Sequence, residues 1–263
     1  MRDKFVIVFA LLIFNSGIVA AAPSGIHYVG GASVGYNSFS FDKKIEQQLT
    51  FKSVEGFTTV LFRGFMLSLN TSMSLKDSDV SEAGATGSAS RFDSNVLAGY
   101  QINPSITLFA GYKGGKTEIS YRSRDGVSQP GCRVNSVGTY EEIFLQKGPY
   151  LGGSYTLNLK KSGKLSASLA YARLKSVNTF ACGGDGTNTG DNIALSDIDG
   201  SASADADSGY SAALTWGMSI TPRLIYQTKL KINYYQQKLV SNGKVFPISQ
   251  KFIIYNTGLI FVW

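Results

Sequence analysis

The sequence predicts an all-β protein: a single antiparallel transmembrane up-and-down barrel of about ten strands. Three observations predict it. Period-two alternation of apolar and polar residues dominates the chain and comes in paired segments. Connections alternate between brief turns and long polar loops, the asymmetry of a membrane barrel rather than of a soluble sandwich. Composition agrees: of 263 residues, 43% are hydrophobic and 16% charged, with 29 Gly, 16 Phe and 14 Tyr. Charge well below the usual soluble level, with abundant Gly and aromatics, excludes a disordered chain, a coiled coil or an ordinary helical enzyme.

The N-terminus reads as an export signal. Arg2 and Lys4 precede the apolar run from Phe5 to Phe14, and small residues follow at Gly17, Ala20, Ala21 and Ala22. A basic end, a short apolar core and a small-residue cleavage site define a secretory signal peptide. The expected cut follows Ala21, so residues 1–21 are the signal and 22–263 the mature barrel. A membrane-anchoring helix needs about 20 apolar residues, and Asn15, Ser16 and Gly17 interrupt the run too early. Cleavage removes Arg2, Lys4 and Asp3, which lowers the net charge from +7 to +6.

Ten strands are expected: 25–38, 48–61, 65–76, 90–102, 105–121, 148–159, 164–176, 209–220, 224–240 and 249–263. The clearest hairpin joins Arg91–Ile102 to Ser105–Lys113 across Asn103-Pro104. Phe92, Val96, Ala98 and Tyr100 share one face there, and Arg91, Asp93, Asn95 and Gln101 the other. Pro cannot donate to a ladder and Asn favours tight turns, so the dipeptide marks the bend. The same unit recurs around Lys160-Lys161-Ser162-Gly163 and across Thr221-Pro222. The second strand is weakest, because Lys52, Glu55 and the run Val60-Leu61-Phe62 blur its alternation. An eight-stranded count would fuse segments across Arg63-Gly64 into a strand too long for a membrane. An even count returns both chain ends to one side. Long loops are expected at 76–88, 122–147 and 177–208, on the extracellular side.

The last strand carries a second signal. Ile253, Tyr255, Leu259, Phe261 and Trp263 alternate up to an aromatic final residue, with Thr257 as the one polar departure from the row. This strand resembles the C-terminal strand by which Gram-negative outer-membrane barrels, of the eight- to ten-stranded class, are recognised by their assembly machinery. The resemblance makes Tyr255, Leu259, Phe261 and Trp263 an assembly signal. It implies a location in the cell outer membrane, with outer-membrane lipids, lipopolysaccharide and the barrel-assembly machinery as partners.

Chemistry-bearing motifs are sparse. Ala110 to Thr117 matches a relaxed phosphate-loop spacing, but no helical period follows Thr117, as phosphate cradling requires. Neither nucleotide nor nucleic-acid binding is expected. His27 is the single histidine. It falls at the inner end of the first strand, facing the lumen, whereas histidine-dependent sites in barrels of this type lie toward the outer half. Catalysis is therefore not expected, and no catalytic residue, metal site or cofactor is assigned. Six aspartates between 177 and 208 read as a solvated acidic loop, since their spacing fits no EF-hand. Cys132 and Cys182 fall in neighbouring long loops exported to a disulfide-permissive space, where a bridge between them is expected. Arg173 and Lys175 continue the outward row above Tyr171, placed either to meet lipopolysaccharide phosphates or to snorkel to the interface.

Function divides on the lumen. Arg91, Asp93, Lys113, Lys229 and Lys231 face inward, four cations against one anion. Asp93 alone cannot neutralise them, so an inward Glu, phosphate or water must contribute, and a hydrated, narrow lumen is expected. Barrels of eight strands have filled interiors and those of 16–18 strands hold channels, so ten lies near the filled end. The sequence therefore favours a non-enzymatic barrel with surface-exposed loops, in a structural or adhesive role toward an unidentified extracellular ligand. The alternative is a narrow, weakly anion-preferring pore.

Overall fold

The computed structural model describes residues 25–41, 48–82, 85–122, 139–182, 192–194, 207–241 and 244–263. The strands are β1 (Ile26–Phe41), β2 (Gln48–Phe62), β3 (Phe65–Ser74), β4 (Ser78–Glu82), β5 (Ala85–Asn103) and β6 (Ile106–Arg122). They continue with β7 (Thr139–Asn158), β8 (Lys164–Cys182), β9 (Asn192–Ala194), β10 (Asp207–Thr221), β11 (Leu224–Ser241) and β12 (Lys244–Val262). Each barrel strand pairs antiparallel with its sequence neighbour, and β1 closes on β12. The result is a closed ten-stranded barrel; β4 and β9 extend β5 and β8 by short pairings. Closure satisfies every edge, which is what permits a sheet to cross a bilayer.

Local chemistry sets the turns at one end. Arg63 and Gly64 both take positive φ, 48° and 85°, as a two-residue turn matched to strand twist requires. The Asn103 side-chain oxygen accepts the amides of Ser105 and Ile106, both at 2.9 Å. The Thr221 hydroxyl accepts those of Arg223 and Leu224, at 3.3 and 3.0 Å. In both cases the side-chain oxygen caps the amides that follow the intervening Pro, which has no N–H of its own to place in the ladder. Barrels of this kind hold their short turns on the periplasmic side, and both described chain ends lie there.

The outer face is apolar. Val34, Leu67, Val96, Leu108, Leu169 and Leu214 are all exposed along the middle of their strands. Aromatic rings flank this belt: Phe65 with Tyr100 (4.8 Å between centroids) and Trp216 with Tyr226 (6.0 Å) below, Tyr171 with Tyr210 (5.5 Å) above. Apolar surface on this scale is stable only against lipid, and girdles at both interfaces define the span. The polar departure Thr257 is satisfied locally, its hydroxyl lying 2.7 Å from that of Tyr226.

Several strands run past their expected ends. β7 starts at Thr139 and β8 runs to Cys182, so part of the loops expected at 122–147 and 177–208 is ladder. Within 76–88, β4 pairs with the start of β5. Beyond the belt neither face meets lipid, so alternation fades while backbone pairing continues. Residues 1–21, Cys132 and, of the acidic loop expected at 177–208, Asp185, Asp191, Asp197, Asp199 and Asp205 lie outside the described residues. No helix of the described residues is long and apolar enough to cross a membrane.

Candidate functional site

All five sequence-predicted lumen charges line one mid-barrel cavity of about 190 Å³. A sixth, Glu55 of β2, joins them. Glu55 is the anion that charge balance demanded, on the strand whose pattern was least clear. It is 6% exposed and accepts Lys229 of β11 at 2.5 and 2.8 Å. Asn70 of β3 donates to it at 2.8 Å, and Asn256 of β12 donates as well. Four donor contacts on one carboxylate are what keeps a buried charge tolerable. Gly35 permits the arrangement, since a Cβ there would collide with the Asn256 amide.

The second pair is Arg91 with Asp93, two residues apart on the inward row of β5. The guanidinium makes two parallel bonds to the carboxylate, at 2.7 and 2.6 Å, and a third to the Thr117 hydroxyl at 2.7 Å. This is the fork geometry in which Arg binds carboxylates best. Gly115 on β6 leaves room for it, because a Cβ would strike both side chains. The Arg91 plane also lies 4.5 Å from the Phe252 ring centroid and 5.9 Å from that of Phe39. Cation–π contact helps hold the guanidinium out of water.

Lys113 of β6 reaches across to β11, where it donates to the Tyr235 hydroxyl and sits 4.2 Å from the ring centroid. Lys231 is inward and half-buried; among the described residues no ion-pair or hydrogen-bond partner is assigned to it. Gln146 of β7 and Gln250 of β12 meet at 2.6 Å, and the Tyr150 hydroxyl donates to Asn95 at 3.2 Å. Several of these contacts link strands that are not neighbours in the sheet, so they cross the lumen.

Apolar layers bound the polar zone. Above it Phe39, Leu49, Phe51, Leu174, Tyr235 and Phe252 form one cluster. Toward the short-turn end Phe57, Ile225 and Ile260 form another, with Val29 and Val262 packed on it. Inward aromatics were missed by a reading that took the inward row as polar. Their signal was available: Phe39 shares the inward phase of Asn37, and Tyr235 that of Asn233. His27 stands at the short-turn end, beside Leu61 near the start of β1 and away from the charged groups.

On the outer face Arg173 and Lys175 are exposed above Tyr171, as expected. Lys147 of β7 is exposed too and pairs directly with Lys175. At the far end of the chain, Tyr255, Leu259, Phe261 and Trp263 form an exposed outward row. The Trp263 amide donates to the Tyr28 carbonyl at 2.9 Å, so this row sits at the seam that closes the barrel.

No protein-family model and no curated protein sequence matches the chain. Among solved structures, the translocator domain of the autotransporter NalP from Neisseria meningitidis superposes with a TM-score of 0.50 at 11% identity, covering 91% of this chain and 88% of that one. The fold is that of an outer-membrane β-barrel. The outer membrane protease OmpT of Escherichia coli gives a TM-score of 0.48 at 14% identity, covering 94% and 99% of the two chains. Neisserial surface protein A gives 0.34 at 13% identity, covering 90% and 98%. The exposed apolar belt between aromatic girdles is the surface that a barrel of this fold turns to lipid.

Proposed function

We propose that this barrel is non-enzymatic and acts through its extracellular end, in a structural or surface-interaction role. One observation carries the reading: side chains fill and cross the lumen at several levels. Lys229 to Glu55, Lys113 to Tyr235, Arg91 to Phe252 and Gln146 to Gln250 all bridge strands that are not adjacent. A barrel so braced is a rigid support for its loops. The carboxylates Glu55 and Asp93 are both committed to cations, and His27 is remote from them, which supports a non-catalytic role.

The exposed basic cluster of Lys147, Arg173 and Lys175 supports lipopolysaccharide as a partner. Lys147 and Lys175 stand directly opposite each other, and like charges so placed destabilise a ladder unless an anion joins them. The C-terminal row supports recognition by the assembly machinery. A disulfide between Cys132 and Cys182, and a cleaved export signal at residues 1–21, complete the proposal.

A narrow anion-preferring pore is the second reading, favoured by four cations against two carboxylates around the cavity. Planar-bilayer recording of refolded protein separates the two. The surface role expects no steps above background, whereas discrete anion-selective steps would overturn it in favour of the pore.

A further inference from the structure

We infer that the mid-lumen cavity is a binding site for one small organic carboxylate, held by Lys231 and Lys113 against an aromatic wall. The charge arithmetic comes first. Arg91, Lys113, Lys229 and Lys231 line the cavity with Glu55 and Asp93, leaving two positive charges in excess. Asp93 is engaged by Arg91 and Glu55 by Lys229, each through two short contacts. Among the described residues Lys113 makes its hydrogen bond to a neutral partner, the Tyr235 hydroxyl. Lys231 has no carboxylate partner among the described residues, and its strand neighbours on the same face side are Ala213 and Ile254. Cations withdrawn from water without an anion are costly, so the site attracts one.

Shape and lining then select the anion's body. Phe39, Phe51, Phe252 and Leu97 face the same space as the two lysines. A chloride or phosphate ion would leave that apolar wall unused. At about 190 Å³ the cavity exceeds the 150 Å³ that holds a benzene molecule in an engineered core. A carboxylate on a compact apolar body of one-ring size satisfies both halves of the lining. Apolar walls with a few convergent polar groups are the usual make-up of small-molecule sites. Asn37, 8% exposed, also lines the space, and its side-chain oxygen has no partner among the described residues. It is an acceptor available to a ligand hydroxyl or a water. Such binding is independent of whether the barrel conducts.

Calorimetric titration of the detergent-refolded full-length protein tests this with benzoate as the probe. Saturable one-to-one binding is expected, weakened roughly tenfold or more in benzamide, which has the ring without the charge, and in acetate, which has the charge without the ring. Lys231→Gln should weaken benzoate by a similar factor, while Lys231→Arg keeps most of it. Heat-modifiable migration serves as the check that each variant is folded. No saturable benzoate binding, benzamide binding as tightly as benzoate, acetate doing so, or a folded Lys231→Gln with wild-type affinity would each overturn the inference. If Lys231→Gln does not fold, the three probes on the wild-type protein decide it.

Discussion

Glu55 and Lys229, 174 residues apart in sequence, meet across the lumen at 2.5 Å. Their strands, β2 and β11, are separated in the sheet by β1 and β12, so the pair ties the barrel wall through its interior. Both side chains are largely withdrawn from solvent, at 8% and 12% exposure. Removing one member leaves the other charge buried and unpaired, which costs about 3–5 kcal/mol. Glu55→Gln should therefore lower the denaturant midpoint of the refolded barrel by that order. Replacing both, as Glu55→Leu with Lys229→Met, should recover part of the loss, because no charge is left buried even though the Asn70 and Asn256 amides lose their acceptor. An unchanged midpoint in Glu55→Gln would show that the lumen is wet enough to solvate Lys229.

The outward half of this architecture was legible in the sequence, and the inward half only partly. On β6, β10 and β11 the outer row must satisfy lipid, so it is apolar along the belt apart from Thr228 on β11, and its period stands out. The inner row answers to no single solvent. In β2 it carries Leu49, Phe51 and Phe57 beside Glu55, while Lys52 and Thr58 face out, which inverts the usual contrast. Alternation there is intact in space and invisible in hydropathy. The inward charges were readable as a set, because each shares the phase of a clear strand. Their partners were not, since pairing depends on the register and shear that set β2 opposite β11.

Gly115 tests how tightly the second ion pair is fitted. A methyl group at this position would meet both Arg91 and Asp93. Gly115→Ala should displace the guanidinium from its carboxylate and destabilise the barrel by about 1–3 kcal/mol, the usual cost of overpacking. Gly114, whose added Cβ would meet only ordinary contacts at 3.8 Å or more, is the control. Equal midpoints for the two alanine variants would remove steric fit as the reason for glycine here.

Barrel closure and assembly converge on the final strand. Phe261 and Trp263 stack at 6.2 Å on the outer face, and the Trp263 backbone bonds to Tyr28 on β1. Polar substitution of Phe261 and Trp263, both to Ser, should reduce membrane insertion in cells and leave precursor in the periplasm. The same variant refolded in detergent should still close, since the backbone ladder between β1 and β12 is untouched. Normal insertion in cells would take the recognition role away from this row.

The basic rim provides the last test, and its logic is electrostatic. Lys147 and Lys175 are exposed cross-strand partners, and Arg173 is exposed two residues along β8. More basic groups stand beside the tyrosines around the wall: Lys52 is the ladder partner of Tyr36, and Lys251 that of Tyr234. The proposed lipopolysaccharide contact puts the phosphates of the outer leaflet at this height, beside the aromatic girdle. Each lysine or arginine near an anionic lipid surface contributes about 1 kcal/mol, so reversing two of them should weaken binding by roughly tenfold or more. Lys147→Glu with Lys175→Glu should accordingly retain much less lipopolysaccharide through detergent extraction than the wild type. High salt should mimic the double variant, because charges at an exposed rim are screened. The barrel itself should be no less stable, and in lipid-free detergent slightly more so, once two repelling cations are gone. Undiminished lipopolysaccharide retention by the double variant would leave these side chains with snorkelling as their role, their stems on the apolar wall and their charges in water.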